Sequence, residues 1–377
     1  MFYLDHLSME GFRNYGSQLF SFNPKLNIIC GANAQGKTNL LESIFFISVN
    51  RSFRTRKEQE LVNFKGDGFS LKGNYIKDCF KHAIQINYRH NSRLSIKANN
   101  DQVNRYDCMP AFPTIVFSPE DLKIVSEGPS IRRRFLNLEA SRLDITYLKD
   151  LRDYQRVLNQ RNKVLKQKSN INKINDYLSP WDRSLTNLGV KLIRSRVEMI
   201  KALQKEAKVI FNQLSDTEEE LSLEYESTIR YFDEPEEMEE QFYNDLLNNR
   251  EQELKRYSTL LGPHLDDLNI KINGNSTRVF ASQGQKRTAA LALRMGEVGL
   301  YMKQNSIPPI LLLDDVFSEF DADRKQHLLS FLRNYSGQCF LTSAVDLDTM
   351  VNYLNKSYKK IIIKQGSIID ETVGTGD

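Results

Sequence analysis

One loop near the start of the chain, with the sequence GANAQGKTN from Gly31 to Asn39, constrains the fold more than any other feature. It follows the apolar run KLNIIC and leads into TNLLESIFFISV, whose apolar residues recur at helical spacing. A strand, a glycine-rich loop and a helix in this order match the pattern G-x4-G-K-[ST], in which backbone N–H groups and a helix N-terminus surround phosphate. The sequence therefore predicts an α/β fold that is built around a phosphate-binding loop.

The residue types in this loop suit a nucleoside triphosphate. The ammonium of Lys37 is expected to reach the β and γ phosphates, and the hydroxyl of Thr38 is expected to bind Mg²⁺. An unrelated glycine loop that matches by chance is the alternative, which the flanking strand and helix disfavour. The expected nucleotide-binding residues are Gly31, Ala32, Asn33, Ala34, Gln35, Gly36, Lys37, Thr38 and Asn39.

An acidic partner for the metal lies far downstream, in ILLLDD from Ile310 to Asp315. Four apolar residues followed by two carboxylates predict a buried strand after which Asp314 holds the metal. Asp315 would then face the attacking water as a base or a water-positioning group. The alternative is a core strand whose last aspartate caps the next helix. Lys37 and Asp314 are 277 residues apart (314 − 37), so the two halves of the nucleotide site are expected to come from the two ends of the chain.

Between these motifs, from about Glu139 to Lys255, the chain changes character. Only one glycine, Gly189, interrupts this segment, and apolar stripes recur at helical spacing on both sides of the polar stretch KQKSNINKIND. Two helices joined by a polar link are expected to pack as an antiparallel pair, each about 25 to 35 residues long. Short strand and helix patterns then return. The expected segments are residues 1–138 with the phosphate-binding loop, an inserted helical arm at 139–256, and residues 257–377 with the acidic strand.

A serine–glycine motif, Ser282-Gln283-Gly284-Gln285, opens the predicted helix QGQKRTAALALRMGEVGLYMK. Taken alone, it indicates only a helix N-cap. Its position between the two nucleotide motifs favours a second role, because a helix N-terminus with a free serine can bind a γ-phosphate. One chain cannot easily place two helix N-termini around one phosphate, so the motif predicts that a second chain completes the site.

Two basic clusters suggest contacts with phosphate groups. The first, in RSFRTRK, contains Arg51, Arg54, Arg56 and Lys57, and the second, in GPSIRRRFLN, contains Arg132, Arg133 and Arg134. Clusters of this kind can neutralise the phosphates of nucleic acid. For the first cluster, DNA binding remains equally open with the alternative of a solvated charged face or of arginines that tie two lobes together. For the second, the following Phe135 and Leu136 favour a structural role in a helix that packs on the core.

Composition disfavours several classes of protein. No run of 18 or more apolar residues occurs, so no membrane-spanning helix is expected. The four cysteines are scattered without a CxxC pair, which predicts neither a disulfide framework nor a zinc site. The first residues lack the pattern of a secretion signal. The formal net charge of +4 is compatible with a nucleic-acid partner but does not require one.

Several segments resemble those of the ABC-type ATPases of the SMC class, and most closely those of the RecF family. GFRNY, GANAQGKTNLLE, FSPEDL, GPSIRRRFLN, LGPHLDDL and ASQGQKRTAALALR occur in the order in which that family has them. The sequence SEFD after ILLLDD also looks like SMC-class ATPases. The similarity covers essentially the whole chain, and six segments in one order make it highly specific.

The resemblance implies an α/β fold, namely a two-lobed P-loop ATPase head of ABC/SMC type with an inserted helical arm. It implies ATP and Mg²⁺ as ligands and an ATP-dependent homodimer. In that dimer each ATP would lie between Lys37, Asp314 and Asp315 of one subunit and Ser282 of the other. It also implies weak, DNA-stimulated hydrolysis of ATP.

By the same resemblance, the expected partners are double-stranded and gapped DNA, a second copy of the chain, RecR, and indirectly RecO and RecA. The implied task is to help load RecA onto DNA during replication-fork repair and the SOS response, in the cytoplasm. Three positions depart from the family's usual residues, since Leu265 replaces arginine, Glu127 replaces glycine and Asn137 replaces aspartate. Ser343 stands where transporter relatives place a histidine.

Three other functions fit the sequence less well. A transporter motor subunit is disfavoured by the helical arm and by the 245 residues between Lys37 and Ser282 (282 − 37). A structural SMC-like or zinc-hook protein would need a longer arm with a CxxC motif at its tip. A nuclease would need a further cluster of acidic metal ligands beyond Asp314 and Asp315.

Overall fold

The structure is a computed structural model that describes residues 2–55, 57–104, 111–167, 174–215, 219–305, 307–344 and 352–375. Contacts between residues divide the chain into two compact units. The first comprises Met1–Asp121 and Val298–Asp377, and the second is Leu122–Glu297. The segment bounds expected from the sequence were placed where the pattern of residues changes. When residues are grouped by their contacts instead, residues 122–138 and 257–297 belong to the same unit as the helical segment.

The first unit mixes strands and helices, and the second consists mainly of helices. The strands are β1 (Phe2–Phe12), β2 (Tyr15–Ser21), β3 (Leu26–Cys30), β4 (Gly68–Lys77), β5 (Phe80–Arg89), β6 (Ser95–Ala98), β7 (Asp101–Val103), β8 (Thr114–Phe117), β9 (Leu221–Glu226), β10 (Asp267–Ile272), β11 (Asn275–Ser276), β12 (Ile310–Leu313), β13 (Cys339–Ser343), β14 (Tyr358–Lys364) and β15 (Ser367–Gly374). The helices are α1 (Lys37–Val49), α2 (Leu122–Ser126), α3 (Pro129–Leu143), α4 (Ile145–Lys166), α5 (Ile174–Leu214), α6 (Pro235–Asn248), α7 (Arg250–Arg256), α8 (Thr277–Phe280), α9 (Gln283–Gln304), α10 (Val316–Glu319) and α11 (Ala322–Asn334). Among the described residues, no helix combines the length and the apolar character needed to cross a bilayer.

A six-stranded sheet supports the predicted phosphate-binding loop. Its order is β15-β14-β3-β13-β12-β8, and all of these strands except β15 run parallel to their neighbours. Every residue of β3, β8, β12 and β13 is buried, as expected for parallel strands that are covered on both faces. The strands predicted in KLNIIC, PTIVF and ILLLDD are therefore confirmed, and their carboxyl ends meet at one edge of the sheet.

A second, antiparallel sheet has the order β2-β1-β4-β5-β6-β7. Its long strands alternate between buried and more exposed residues, which gives the sheet one apolar and one polar face. Helix α1 contacts β1, β4 and β5 of this sheet and also β8 and β13 of the parallel sheet. Because α1 lies between two sheets, nearly all of its residues are buried, and the loop before it is fixed from both sides.

The helical unit is built on α4 and α5. Tyr147 and Tyr154 of α4 pack with Leu185 and Ile193 of α5, whereas the end of α4 packs against the start of α5. This arrangement confirms the predicted antiparallel pair. The predicted lengths were wrong, since α4 has 22 residues and α5 has 41.

Helix α5 is longer than expected because it begins at Ile174, inside the polar stretch KQKSNINKIND. Pro180 lies in its second turn, where the missing N–H removes a single backbone hydrogen bond without ending the helix. Further along, Gly189 permits close packing, because a Cβ there would lie 2.7 Å from the ring of Phe242.

A buried cluster of charges joins α4, α5 and α7. The guanidinium of Arg161, which has no exposed surface, donates to Asp182 at 2.7 Å and to Glu253 at 2.6 Å. Arg250 donates to the second carboxylate oxygen of Asp182 at 2.5 Å. A buried charge that loses its partner costs several kcal/mol, so this cluster favours a single arrangement of the three helices.

The segment LGPHLDDL is held by basic side chains of α3. Arg132 donates twice to the carboxylate of Asp267, at 2.8 and 2.6 Å. Arg133 donates to the carbonyl oxygen of Asp266 at 2.9 Å. The structural role predicted for the second basic cluster is therefore confirmed for Arg132 and Arg133.

His264, in the same segment, is held as a neutral imidazole. Its Nδ1 lies 2.7 Å from the hydroxyl of Tyr154, and its Nε2 lies 3.3 Å from the carbonyl oxygen of Thr259. A carbonyl can only accept, so Nε2 carries the proton and Nδ1 accepts from Tyr154. Burial lowers the pKa of His264 to about 4, against the smaller, raising influence of the Thr259 carbonyl.

We expect acid to destabilise the fold through His264. Between an unfolded pKa of about 6.5 and the folded value, the unfolded chain binds a proton that the folded chain does not. Neutral His264 costs no stability above pH ~6.5. As the pH falls the loss of stability grows, and it totals about 3 kcal/mol once the pH is below the folded pKa. His264→Gln should remove this part of the pH dependence of the urea midpoint. His327→Gln, at an exposed position, is the control. Parallel pH profiles for the parent and His264→Gln would contradict the assignment.

Candidate nucleotide site

The loop after β3 connects that strand to the N-terminus of α1, where Gly36 is the N-cap residue. Gly31 and Gly36 have φ angles of 152° and 119°, which residues with a side chain rarely adopt. A Cβ at Gly31 would lie 2.4 Å from the carbonyl oxygen of Ile363, and a Cβ at Gly36 would lie 2.7 Å from Nδ2 of Asn14. Both glycines of the motif are thus required by the backbone path and by close packing.

Two hairpin turns hold this loop in shape. From the β1–β2 turn, Nδ2 of Asn14 donates to the carbonyl oxygen of Gln35 at 2.9 Å, and the Tyr15 hydroxyl donates to the carbonyl oxygen of Gly36 at 3.0 Å. From the β14–β15 turn, the N–H of Gln365 donates to Oε1 of Gln35 at 2.8 Å. Sequence reasoning did not assign these supports, and the only signal for Asn14 and Tyr15 was the segment GFRNY. The phosphate cradle, meaning the loop from Gly31 to Asn39, is therefore held in shape by hydrogen bonds from other segments of the chain.

The side chain of Lys37 bends back over the loop. It is 7% exposed, and its Nζ donates to the carbonyl oxygens of Gly31 at 2.7 Å and Ala32 at 3.0 Å. These bonds keep the ammonium against the loop backbone beside Gly31 and Ala32. An anion in the cradle would therefore meet both a positive charge and the N-terminus of a helix.

Thr38 and Asp314 meet across the edge of the parallel sheet. The Thr38 hydroxyl donates to Oδ1 of Asp314 at 2.8 Å. Between them in the sheet lies β13, whose Thr342 hydroxyl donates to the same oxygen at 3.0 Å and accepts from the Asp315 N–H at 2.9 Å. Sequence reasoning missed Thr342, because a hydroxyl at the end of a buried strand is a weak signal. The structure thus brings Thr38, Asp314 and Asp315 together.

Several interactions shift the pKa of the Asp314 carboxyl in opposite directions. Burial raises its pKa, hydrogen bonds from Thr38 and Thr342 lower it, and the neighbouring Asp315 raises it. The guanidinium of Arg54 lowers it slightly. Because burial is the largest of these, the net pKa lies above the usual range, and a cation beside Asp314 would favour its ionised form.

This pair of oxygens suits Mg²⁺. The ion binds oxygens at about 2.1 Å in octahedral geometry, which puts neighbouring ligands about 3 Å apart. The Thr38 hydroxyl oxygen and Oδ1 of Asp314 are separated by 2.8 Å. The two side chains therefore fit adjacent positions around one magnesium ion.

Asp315 has an unusual backbone conformation. Its φ of 50° is left-handed, which is unfavourable for a residue with a Cβ. It stands at the N-cap position of α10, yet its side chain makes no capping hydrogen bond. The structural alternative, a plain helix cap, therefore has no support from the geometry, and the carboxylate is available for another role at this edge.

The first basic cluster is anchored beside the loop through Arg54. Its Nη1 donates to Oδ1 of Asn39 at 2.9 Å and lies 3.4 Å from Oε2 of Glu42. Glu42 is fully buried, and it accepts two hydrogen bonds of 2.8 Å from Arg13 and another from the Ser52 hydroxyl. Arg54 is thus tied to the helix that follows the phosphate-binding loop.

The other members of the first cluster are placed differently. Arg51 and Lys57 are exposed, and Nζ of Lys57 lies 3.8 Å from a carboxylate oxygen of Glu60. Arg56 lies outside the described residues. The described members Arg51, Arg54 and Lys57 therefore present an exposed cationic surface next to α1.

The serine–glycine motif belongs to the second compact unit. Ser282 is exposed and directly precedes α9. Its hydroxyl accepts from the N–H of Gln285 at 3.2 Å, and its own N–H donates to Oε1 of Gln285 at 2.7 Å. This reciprocal pair is a capping box. The cap fixes the start of α9, and the proton of the Ser282 hydroxyl remains available for a further hydrogen bond.

These features define a P-loop protein with the head fold of the SMC class. The model of the RecF/RecN/SMC N-terminal domain family matches residues 3–368. An Smc head domain from Pyrococcus furiosus aligns with a TM-score of 0.55 at 15% identity, over 100% of this chain and 97% of that one, which supports the fold alone.

More similar proteins carry the name RecF. The DNA replication and repair protein RecF of Natranaerobius thermophilus is 37% identical over 90% of each chain, and that of Ligilactobacillus salivarius is 36% identical over 98% of each. A solved structure of the recombination mediator protein RecF with ATP, in the RecFOR pathway, aligns with a TM-score of 0.91 at 35% identity over 98% of each chain. The chain belongs to the RecF family.

We expect Glu42 to be essential for the stability of the first unit. Glu42→Ala would leave Arg13 and Ser52 without their shared acceptor, and this should cost roughly 3 kcal/mol of unfolding free energy. The control is Glu60→Ala, at an exposed position, which should cost under about 1 kcal/mol. Urea unfolding followed by circular dichroism measures both variants. Equal midpoints for the two would show that the Glu42 cluster does not stabilise the fold.

Proposed function

We propose that this protein is an ATP-driven switch of recombinational DNA repair. As a homodimer with ATP, it binds duplex DNA near single-strand gaps and helps to load RecA together with RecR and RecO. The observation that carries the proposal is the contact between Thr38 and Asp314 beside a preformed phosphate cradle. Similarity to RecF proteins named for DNA replication and repair, and to one solved with ATP in the RecFOR pathway, supports the DNA-repair part.

Each part of the first unit has a task in binding ATP. The loop from Gly31 to Asn39 surrounds the phosphates with N–H groups, and Lys37 neutralises charge on the β and γ phosphates. Thr38 and Asp314 would hold Mg²⁺, which when bound supplies charge neutralisation on the phosphate oxygens. Thr342 positions Asp314 from the neighbouring strand, so the oxygen pair is oriented by the sheet.

The proposed hydrolytic residue is Asp315. It lies next to the metal-binding Asp314, it is free of any capping role, and its position is fixed by the bond from its N–H to Thr342. Its carboxylate would orient or deprotonate the attacking water. The resemblance to the RecF family implies that hydrolysis is weak and stimulated by DNA, and its role would be to end the ATP-bound state.

The proposed partner contribution comes from Ser282 to Gln285. The exposed serine can donate its proton to a γ-phosphate held by another subunit, and the N-terminus of α9 adds its partial positive charge. ATP would thereby join two heads, and its hydrolysis would release them. The dimer is thus the state in which the nucleotide is fully surrounded.

The proposed DNA contacts are Arg51, Arg54, Arg56 and Lys57. Arg54 is bound to Asn39 at the phosphate-binding loop, so a DNA contact through Arg54 would lie directly beside the nucleotide site. The cluster's charge makes salt-dependent binding to DNA the expected behaviour. A role in replication-fork repair and the SOS response, in the cytoplasm, completes the proposal.

The composite site predicts complementation between two inactive variants. Lys37→Met should weaken ATP binding and dimer formation, and Ser282→Arg should block closure of the dimer, each lowering turnover by roughly 100-fold. A mixture should regain turnover, because a mixed dimer has one site with an intact loop and an intact serine. Lys37→Met mixed with Lys37→Ala is the control and should stay inactive. Phosphate release from the mixtures measures this, and no recovery would mean that Ser282 does not act across subunits.

Asp315→Asn should separate binding from hydrolysis. ATP affinity should be unchanged, turnover should fall roughly 100-fold, and the dimer should persist after ATP is added. Light scattering after gel filtration and phosphate release give the two readouts. Asp323→Asn, another exposed acid in the neighbouring α11, should behave as the parent. Parental turnover in Asp315→Asn would remove it from the catalytic role.

A further inference from the structure

Phe64 is an apolar side chain with no packing role. Its relative exposure is 103%, and among the described residues no other large apolar side chain is as exposed. Burying a phenylalanine normally stabilises a fold by about 2 kcal/mol, and Phe64 makes no such contribution. A ring left in solvent is therefore available to a ligand.

The turn that carries Phe64 is firmly held. Asn63 receives a hydrogen bond from Gly66 N–H at 2.9 Å, and its own N–H donates to the carbonyl oxygen of Gly11 at 2.8 Å. Its side chain donates to the carbonyl oxygen of Arg13 at 2.8 Å and accepts from the N–H of Lys65 at 3.0 Å. The ring is thus presented by an ordered turn, and binding to it would cost little ordering of the backbone.

The surroundings of the ring are cationic. Asp67, which follows the turn, accepts from the backbone N–H of His90 at 2.8 Å, so the turn lies next to the β5–β6 loop. Residues 63–68 and 89–93 carry Lys65, Arg89 and Arg93, all exposed, against the single carboxylate of Asp67. An exposed flat ring on a turn that carries Lys65 and adjoins a loop flanked by Arg89 and Arg93 matches a ligand that combines a planar apolar face with phosphate groups.

We propose that Phe64 stacks on an unpaired nucleobase, while Lys65, Arg89 and Arg93 contact the adjoining phosphates. In duplex DNA the faces of the bases are covered by their neighbours, so a ring of this kind selects nucleotides that have left the stack. The site lies outside the cluster Arg51 to Lys57, and it rests on the proposed function only in taking DNA as the ligand. It would distinguish DNA with unpaired nucleotides from a flush duplex.

The proposed site and the phosphate-binding loop share a support. In the β1–β2 turn, the carbonyl oxygen of Arg13 accepts a hydrogen bond from the Asn63 side chain. The next two residues, Asn14 and Tyr15, donate hydrogen bonds to the phosphate-binding loop. Both sites are therefore attached to one short segment of the first unit. A base bound at Phe64 would contact a turn that is hydrogen-bonded to Arg13, whose neighbours Asn14 and Tyr15 hold the phosphate-binding loop.

The test compares two labelled DNAs, a flush duplex and the same duplex with a single-stranded tail. Affinities are measured by fluorescence anisotropy with ATP and Mg²⁺. Phe64→Ala should weaken binding to the tailed DNA by about 5- to 100-fold and leave the flush duplex unchanged. Phe64→Trp should bind as the parent, and Phe64→Leu, which is apolar without a flat ring, should bind as Phe64→Ala. With 2-aminopurine in the tail, quenching of its fluorescence should require an aromatic residue at this position.

Phe80 provides a matched control. It is an exposed phenylalanine, at 72%, and begins β5 at the opposite end of the same β4–β5 hairpin. Phe80→Ala should therefore bind both DNAs as the parent does. An equal loss in Phe80→Ala and Phe64→Ala would overturn the proposal, because it would make the effect one of general surface hydrophobicity.

The remaining outcomes separate this proposal from the proposed function. Parental binding of both DNAs by Phe64→Ala, with ATP-dependent duplex binding intact, would overturn the stacking site alone. Binding of the tailed DNA through Phe64 without any binding of the flush duplex would support the stacking site and refute the proposed ATP-dependent binding of duplex DNA. If Phe64→Ala instead lost binding only to vesicles of anionic phospholipid, the ring would be a membrane contact and the proposal would be wrong.

Discussion

The parallel alignment of β3, β13 and β12 is the constraint on which the nucleotide site depends. Parallel strands end at the same edge of a sheet, so the loop after β3 and the aspartates after β12 are neighbours although 277 residues separate them in the chain (314 − 37). The strand between them adds Thr342, whose hydroxyl bonds Asp314 and the Asp315 backbone at once. A shift of one residue in either strand pairing would turn this hydroxyl to the opposite face and separate the three groups.

Burial gives the site its chemical character. The same layers that cover the parallel strands remove water from Asp314, and this raises the pKa of its carboxyl. The two threonine hydroxyls partly offset the cost of burying it, but they cannot neutralise a charge. A cation bound beside Asp314 would offset the cost of its buried negative charge. Binding of metal and nucleotide is therefore expected to stabilise the fold, and the fold to favour their binding.

Much of this architecture was predictable from the sequence, because its signals are local. The glycine loop, the buried strand before Asp314 and the capping motif at Ser282 each carry their own pattern, and the family resemblance put them in order. The supports were not predictable in the same way. Asn14 and Thr342 act through contacts across the sheet or between hairpins, and their local sequence has no pattern that indicates such contacts. Helix lengths were also wrong, since α5 begins at Ile174, inside the polar stretch that was expected to link the two helices.

The β1–β2 turn explains how two kinds of ligand could influence each other within one compact unit. The carbonyl oxygen of Arg13 accepts a hydrogen bond from Asn63, in the turn that presents Phe64, and the Arg13 guanidinium donates to the buried Glu42. The next two residues, Asn14 and Tyr15, donate hydrogen bonds to the phosphate-binding loop. Close-packed segments transmit displacement because they have few alternative arrangements. A ligand that moved Arg13 by a fraction of an ångström would therefore have to strain either the Glu42 pair or the bonds to the loop. Coupling of this kind requires no motion of the helical unit, and its strength is set by the difference in free energy between the arrangements that each ligand favours.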